Sequence, residues 1–144
     1  MRTFLKLNGL SMIYALSLFL QIELVVNTYR MVRVTSIKTT DISIMSDVTA
    51  VLLLVITTCA GFYLTKRLFG ERKVKYLAAV LWIPYFDLLI KAFAHFFPIT
   101  DPGEAPLGAV GLIALFYMIG YPIYILVISL VSSIRLEGST DTRA

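Results

Sequence analysis

The sequence is short of charge and short of reactive side chains. Only 15% of its 144 residues are Asp, Glu, Lys or Arg, where a soluble domain of this size carries about 25%. A soluble fold also needs polar residues at regular spacing to cover its surface. Here 58% of the residues are hydrophobic, and they fall in long blocks that raise the mean hydropathy to +0.84. The single histidine, His95, excludes a multi-histidine metal or haem site within one chain. The single cysteine, Cys59, excludes an intrachain disulfide and a cysteine-rich metal site. No glycine-rich phosphate loop occurs, and no serine sits in a nucleophile elbow. A membrane-embedded aspartyl hydrolase needs two facing acids that share a proton. Glu23 and Asp87 are the only such pair in the apolar segments, and Lys91 would hold both ionised. No catalytic residue, no metal and no cofactor are expected.

The apolar blocks themselves set the fold class. A spanning helix needs about 20 mostly apolar residues, at about 1.5 Å each through about 30 Å of hydrocarbon. Four segments qualify, at about 7–26, 48–64, 74–97 and 107–134, the third ending at Pro98. Ser46-Asp47 is a plausible cap for the second. Backbone groups in hydrocarbon need partners within their own segment, which selects helices, and runs such as Val51-Leu52-Leu53-Leu54-Val55-Ile56 do not alternate as strands would. The expectation is one all-α domain, a polytopic membrane protein built as a four-transmembrane-helix bundle. The opening Met1-Arg2-Thr3-Phe4-Leu5-Lys6 could begin a signal peptide, but the following run is too long and lacks a small-x-small cleavage site, so it reads as a retained anchor.

The net charge of +4 lies between the apolar blocks, where it encodes topology rather than nucleic-acid binding. The second connection, 65–73, opens a basic stretch of Lys66, Arg67, Arg72, Lys73 and Lys75 against Glu71 alone. The third connection has Asp101 and Glu104 and no base, while Arg2, Lys6, Arg135 and Arg143 mark the two ends. The positive-inside rule puts both termini, the basic loop and the 135–144 tail in the cytoplasm. The long first connection, 27–47, then lies outside despite Arg30, Arg33 and Lys38. Its many aliphatics suit a segment on the membrane surface or a cap over the bundle. The expected setting is a multi-pass position in a plasma membrane, by default a bacterial inner membrane. The bilayer is the first partner, followed by another membrane protein or further copies of the chain, and nucleic acid is excluded.

Asp87, Lys91 and His95 are spaced four apart and share one helical face in the third segment. A charge at a helix centre in the bilayer costs about 2.5–3.5 kcal/mol on insertion scales, so these residues read as a polar pathway or binding site. The plainer reading is a self-neutralising Asp87–Lys91 pair with His95 at the interface. Glu23 falls at a similar depth on the first segment, as a second partner for Lys91 or as a residue reaching the headgroups. Tyr117, Tyr121 and Tyr124 form a stripe whose hydroxyls need partners, either against the charged face of the third segment or around a ligand cavity. Thr57, Gly61 and Thr65, and likewise Gly108, Gly111 and Ala114, are small-residue stripes for close helix packing, inside the bundle or against another subunit. Pro84 and Pro122 should kink their helices. Cys59 and Trp82 read as packing residues.

These features point first to a small non-enzymatic membrane protein that works through protein contacts, as an accessory subunit or an immunity-type protein. A small oligomeric transporter or channel using Glu23, Asp87, Lys91 and His95 is the alternative. A membrane-embedded lipid-active enzyme with Asp87 or His95 as acid–base is a weaker third.

Overall fold

The structure, a computed structural model, describes residues 2–100, 102–105 and 108–134; the expected tail at 135–144, Asp101 of the third connection and the start of the fourth segment at 107 lie outside the described residues. The described residues are all-α, with five helices among them: α1 (Arg2–Val26), α2 (Thr28–Thr35), α3 (Thr39–Phe69), α4 (Ala78–Phe96) and α5 (Gly108–Val131). Short 3-10 turns cover Lys73–Leu77 and Pro102–Glu104. Four stretches, α1, α3, residues 73–96 and α5, are long and apolar enough to cross a membrane. α4 and α5 continue through Pro84 and Pro122.

Helix α1 is the axle of the bundle. In its most apolar stretch 50% of the residues are buried, against 17% in α3, 22% in residues 73–96 and 17% in α5. Cross-helix contacts give the directions. Ser17 meets Thr57 and Tyr14 meets Gly61, so α3 is antiparallel to α1. Asn8 meets Tyr85 and Phe19 meets Phe93, so α4 runs parallel to it. Tyr14 meets Tyr121 at mid-helix, and Gln21 and Val25 lie by Tyr117 and Val110, so α5 is antiparallel. One end of the bundle, here the basal end, therefore holds the start of α1, the α3–α4 turn and the end of α5. The far end holds α2 and the α4–α5 connection.

The connection expected at 27–47 is mostly helical. α3 begins nine residues before the expected start at 48, because nothing between Thr39 and Val48 breaks a helix. Ser46 is consequently buried inside α3, and the residue in the cap position is Lys38, with extended backbone. The actual reversal is at Ser36, whose φ of 57° ends α2 in the left-handed region. α2 packs on α3 and α1 with no fully buried side chain, as a partial cap.

At the basal end, Gly70 ends α3 with a φ of 53° and a ψ of −121°, a combination that glycine alone adopts without strain. Lys66, Arg67, Arg72 and Lys73 are exposed, as a basic loop should be. Lys75 is not: it is fully buried. Its ammonium donates to the Gly70 carbonyl at 2.7 Å and to the Ser133 hydroxyl. One lysine of the basic stretch therefore clamps the end of α3 to the end of α5, because a buried ammonium must be matched by acceptors.

Mid-bundle, α1 and α3 approach closely at Gly61. A methyl group built there would meet the Tyr14 hydroxyl at 2.5 Å and two ring carbons at 3.0 Å. Tyr14 has no exposed surface, and its ring is held edge-on to Tyr121 and Tyr124, each at 6.4 Å between centroids. The phenol has no room to retreat. Small residues in membrane helices allow such approach, and van der Waals contact then drives association.

Two stability changes are expected in thermal unfolding of the detergent-solubilised protein. Gly61→Ala should destabilise by about 1–3 kcal/mol. Adding Tyr14→Phe should recover part of the loss, since it removes the nearest atom. Lys75→Met should destabilise by about 1–3 kcal/mol by stripping a donor from two half-buried acceptors, whereas Lys66→Met should stay within about 0.5 kcal/mol.

Candidate functional site

Helix α4 has two faces of opposite character. Ala78, Ala79, Trp82 and Phe86 are buried against the bundle. Trp82 stacks edge-on with Phe86 at 5.6 Å and with Tyr121 at 5.2 Å, and its indole N–H donates to the Ala79 carbonyl. At about 100° per residue, Asp87, Lys91 and His95 lie roughly on the other side of the helix.

The structure bears this out in exposure. The Asp87 carboxylate and Lys91 ammonium form an i,i+4 ion pair at 2.7 Å, with 58% and 73% of their side chains exposed. His95 is exposed too, its ring edge-on to Phe96. Around them Val80, Ile83 and Leu88 are likewise exposed. A charged stripe thus runs along the outside of the bundle, framed by aliphatic surface. Its acid-before-base order is the stabilising one on a helix.

Glu23 is not part of that stripe. It lies at the far end of α1, half-buried, where its carboxylate accepts a hydrogen bond from Asn27 Nδ2. The same amide also reaches the Glu23 carbonyl at 3.1 Å. Glu23 borders a cleft with Phe93, which belongs to the inward-turned side of α4, and with the exposed Phe97 just beyond that helix. The structure therefore brings Asp87 and Lys91 together, leaves His95 further along the same face, and holds Glu23 apart from all three.

The tyrosine stripe divides as well. Tyr121 is buried and donates to the Tyr14 carbonyl at 2.7 Å. Tyr124 shares a hydrogen bond with Thr58 at 2.8 Å. Their neighbours are Tyr14 and Trp82, so they pack on the apolar side of α4 and not on its charged face. Tyr117 is 41% exposed and borders an open cleft of about 330 Å3 with Gln21, Phe116 and Tyr121.

The small-residue stripes also separate. Thr57, Gly61 and Thr65 are buried inside the bundle, whereas Gly108 and Gly111 are exposed with open space around them. Cys59 is exposed on α3 instead of buried, since the buried side of that helix is set by Thr57, Gly61 and Thr65.

A polar seam inside the bundle escaped the sequence reading. Ser17 and Thr57 share a hydrogen bond at 2.6 Å, and Gln21 donates to Ser17 at 3.1 Å. The Tyr14 and Thr65 hydroxyls are enclosed near one another without a well-formed hydrogen bond. The signal was present: Ser11, Tyr14, Ser17 and Gln21 recur at three- and four-residue spacing along an otherwise aliphatic helix.

Separate placement of Glu23 and Lys91 predicts additive energetics. Glu23→Gln and Lys91→Met should sum to within about 0.5 kcal/mol in detergent unfolding, while Asp87→Asn and Lys91→Met, which touch, should depart from additivity by more than that. The chain matches no protein-family model, no curated protein and no solved structure, so its own geometry carries the functional reading.

Proposed function

We propose that this is a non-enzymatic integral membrane protein that works as an accessory subunit, docking sideways on another membrane protein through the outward face of α4. The observation that carries the reading is the Asp87–Lys91 pair, exposed near the middle of a helix of spanning length and composition. Ionisable residues at that depth are costly toward lipid and are normally turned to protein or water. In this chain they turn away from the bundle, so the protein that shields them is another one. A partner helix with its own acid and base at the same depth matches the stripe in charge, and the aliphatic frame of Val80, Ile83 and Leu88 suits helix packing around it. The remaining exposed faces of α5 and of residues 48–64 in α3 are mainly apolar, as lipid contact asks.

On this reading the four spans cross the plasma membrane with the basal end in the cytoplasm. Lys66, Arg67, Arg72 and Lys73 then lie at the anionic headgroups, at about 1 kcal/mol per basic residue near the surface. A transporter or channel draws less support. A path along Asp87, Lys91 and His95 has no second wall among the described residues, and would need a junction with another chain.

The test is the mass and composition of the particle purified from native membranes in mild detergent. A stoichiometric second protein is expected, with at least a tenfold loss of it when Asp87→Leu and Lys91→Leu are combined. A particle containing only this chain, or a partner retained undiminished by that double variant, would overturn the proposal.

A further inference from the structure

A second feature lies at the far end of the bundle, away from the charged face of α4. A cleft of about 500 Å3 opens between α1, α2, α3 and the end of α4. This is the size of sites that hold drug-sized molecules. Leu20, Leu24, Leu53, Phe93 and Phe97 make its walls almost entirely of carbon. One carboxylate, that of Glu23, stands at its border, half-buried and bonded to the neutral Asn27 amide. Arg30 also borders the cleft and acts on Glu23 through its charge, while its guanidinium donates to the Phe97 carbonyl at 3.2 Å and the Pro98 carbonyl at 2.9 Å. Phe93 and Phe97, which line the same cleft as Glu23, lie with ring centroids 5.0 Å apart and tilted by 33°.

We infer that this cleft binds an amphiphilic ammonium, with its alkyl chain against the carbon walls and its cationic head on Glu23. Three properties select that class. A carboxylate offers several acceptor positions, and one amide donor leaves room for more. Aromatic rings in the lining of the same cleft suit a cation better than an anion. The acid lies in the last turn of α1, so a head at Glu23 reaches the interface while the chain points back along the helices. A neutral alcohol of the same length would fill the walls and waste the acid; an anionic amphiphile would meet the carboxylate directly. The ammonium can belong to a free alkylamine or to the headgroup of an aminophospholipid, which offer the same contact.

Native mass spectrometry of the full chain in a neutral maltoside detergent tests this, with dodecylammonium, dodecanol, phosphatidylethanolamine and phosphatidylglycerol as probes. One dodecylammonium per chain is expected, at least tenfold tighter than dodecanol, and weakened at least tenfold by Glu23→Gln. Leu53→Trp, which plugs the cleft and leaves Glu23 intact, should abolish the one-to-one complex, so that a poorly folding Glu23→Gln does not decide the matter alone. Asp87→Asn should change nothing, which keeps this site distinct from the docking face. Displacement of a one-to-one phosphatidylethanolamine by dodecylammonium supports the inference with a lipid as the source; dodecylammonium bound with no phosphatidylethanolamine complex supports it with a free amine. Equal binding of dodecanol or phosphatidylglycerol, or binding that survives Leu53→Trp, would overturn it.

Discussion

The contact of Tyr14 with Gly61 governs how the other helices can sit. Tyr14 is the meeting point of three elements: its phenol fills the notch in α3, its carbonyl accepts from Tyr121 of α5, and its ring is flanked edge-on by Tyr121 and Tyr124. Tyr121 in turn stacks on Trp82, which carries the arrangement to α4. Between apolar helices in an apolar solvent, sequestering hydrocarbon gives little reason to associate. Shape and hydrogen bonds then decide. The notch sets how close α3 comes, and that closeness brings Ser17 within 2.6 Å of Thr57 one turn further along. The ring cluster and the polar seam therefore follow from a single missing methyl group.

A consequence is an inversion of the usual order. Hydroxyls and amides face inward, on Ser11, Ser17, Gln21, Thr57 and Tyr121, while the intramembrane-type charges of α4 face outward. Ser11 and Gln21 bond within α1, while the Ser17–Thr57 and Tyr121–Tyr14 bonds cross between helices and fix their register. Asp87 and Lys91 satisfy only each other and fix nothing between helices. Charge that contributes nothing to the internal packing is poorly explained as a structural device, which is why the α4 face, and not the better-connected seam, bears the functional proposal.

Four apolar stretches, the helical class and the ion pair were legible from composition and spacing, because hydropathy and four-residue periodicity are local properties. The small residues of α3 were legible as a packing stripe, but their partner was not, since nothing in Thr57, Gly61 and Thr65 names Tyr14. Depth counting put Glu23 beside Lys91, and depth is only one coordinate. Rotation about the helix axis separates them, and it is set by the Tyr14 and Trp82 contacts. Lys75 was misread for a related reason: a basic residue in a basic stretch looks solvated until a carbonyl from α3 and a hydroxyl from α5 close over it. The start of α3 was missed because hydropathy falls before helicity does. Thr39 to Asp47 is polar enough to leave the apolar core and still lacks any residue that breaks a helix.

The exposed pair also bears on how such a subunit would assemble. A lone carboxylate or ammonium at mid-helix raises the cost of insertion, whereas an acid and a base one turn apart cancel in net charge and share a hydrogen bond at 2.7 Å. The chain can therefore enter a bilayer and pack around α1 before it meets a partner. Once a partner helix arrives, the same two groups can exchange an internal contact for two contacts across the interface, with no unpaired charge at any stage. On the proposed reading, self-pairing and docking would be successive uses of one motif. A neutral face would insert as easily but would offer the partner no charge to recognise. A singly charged face would be recognised and would insert poorly. The i,i+4 acid–base order meets both requirements, which is the physical reason for reading this face as a site of assembly.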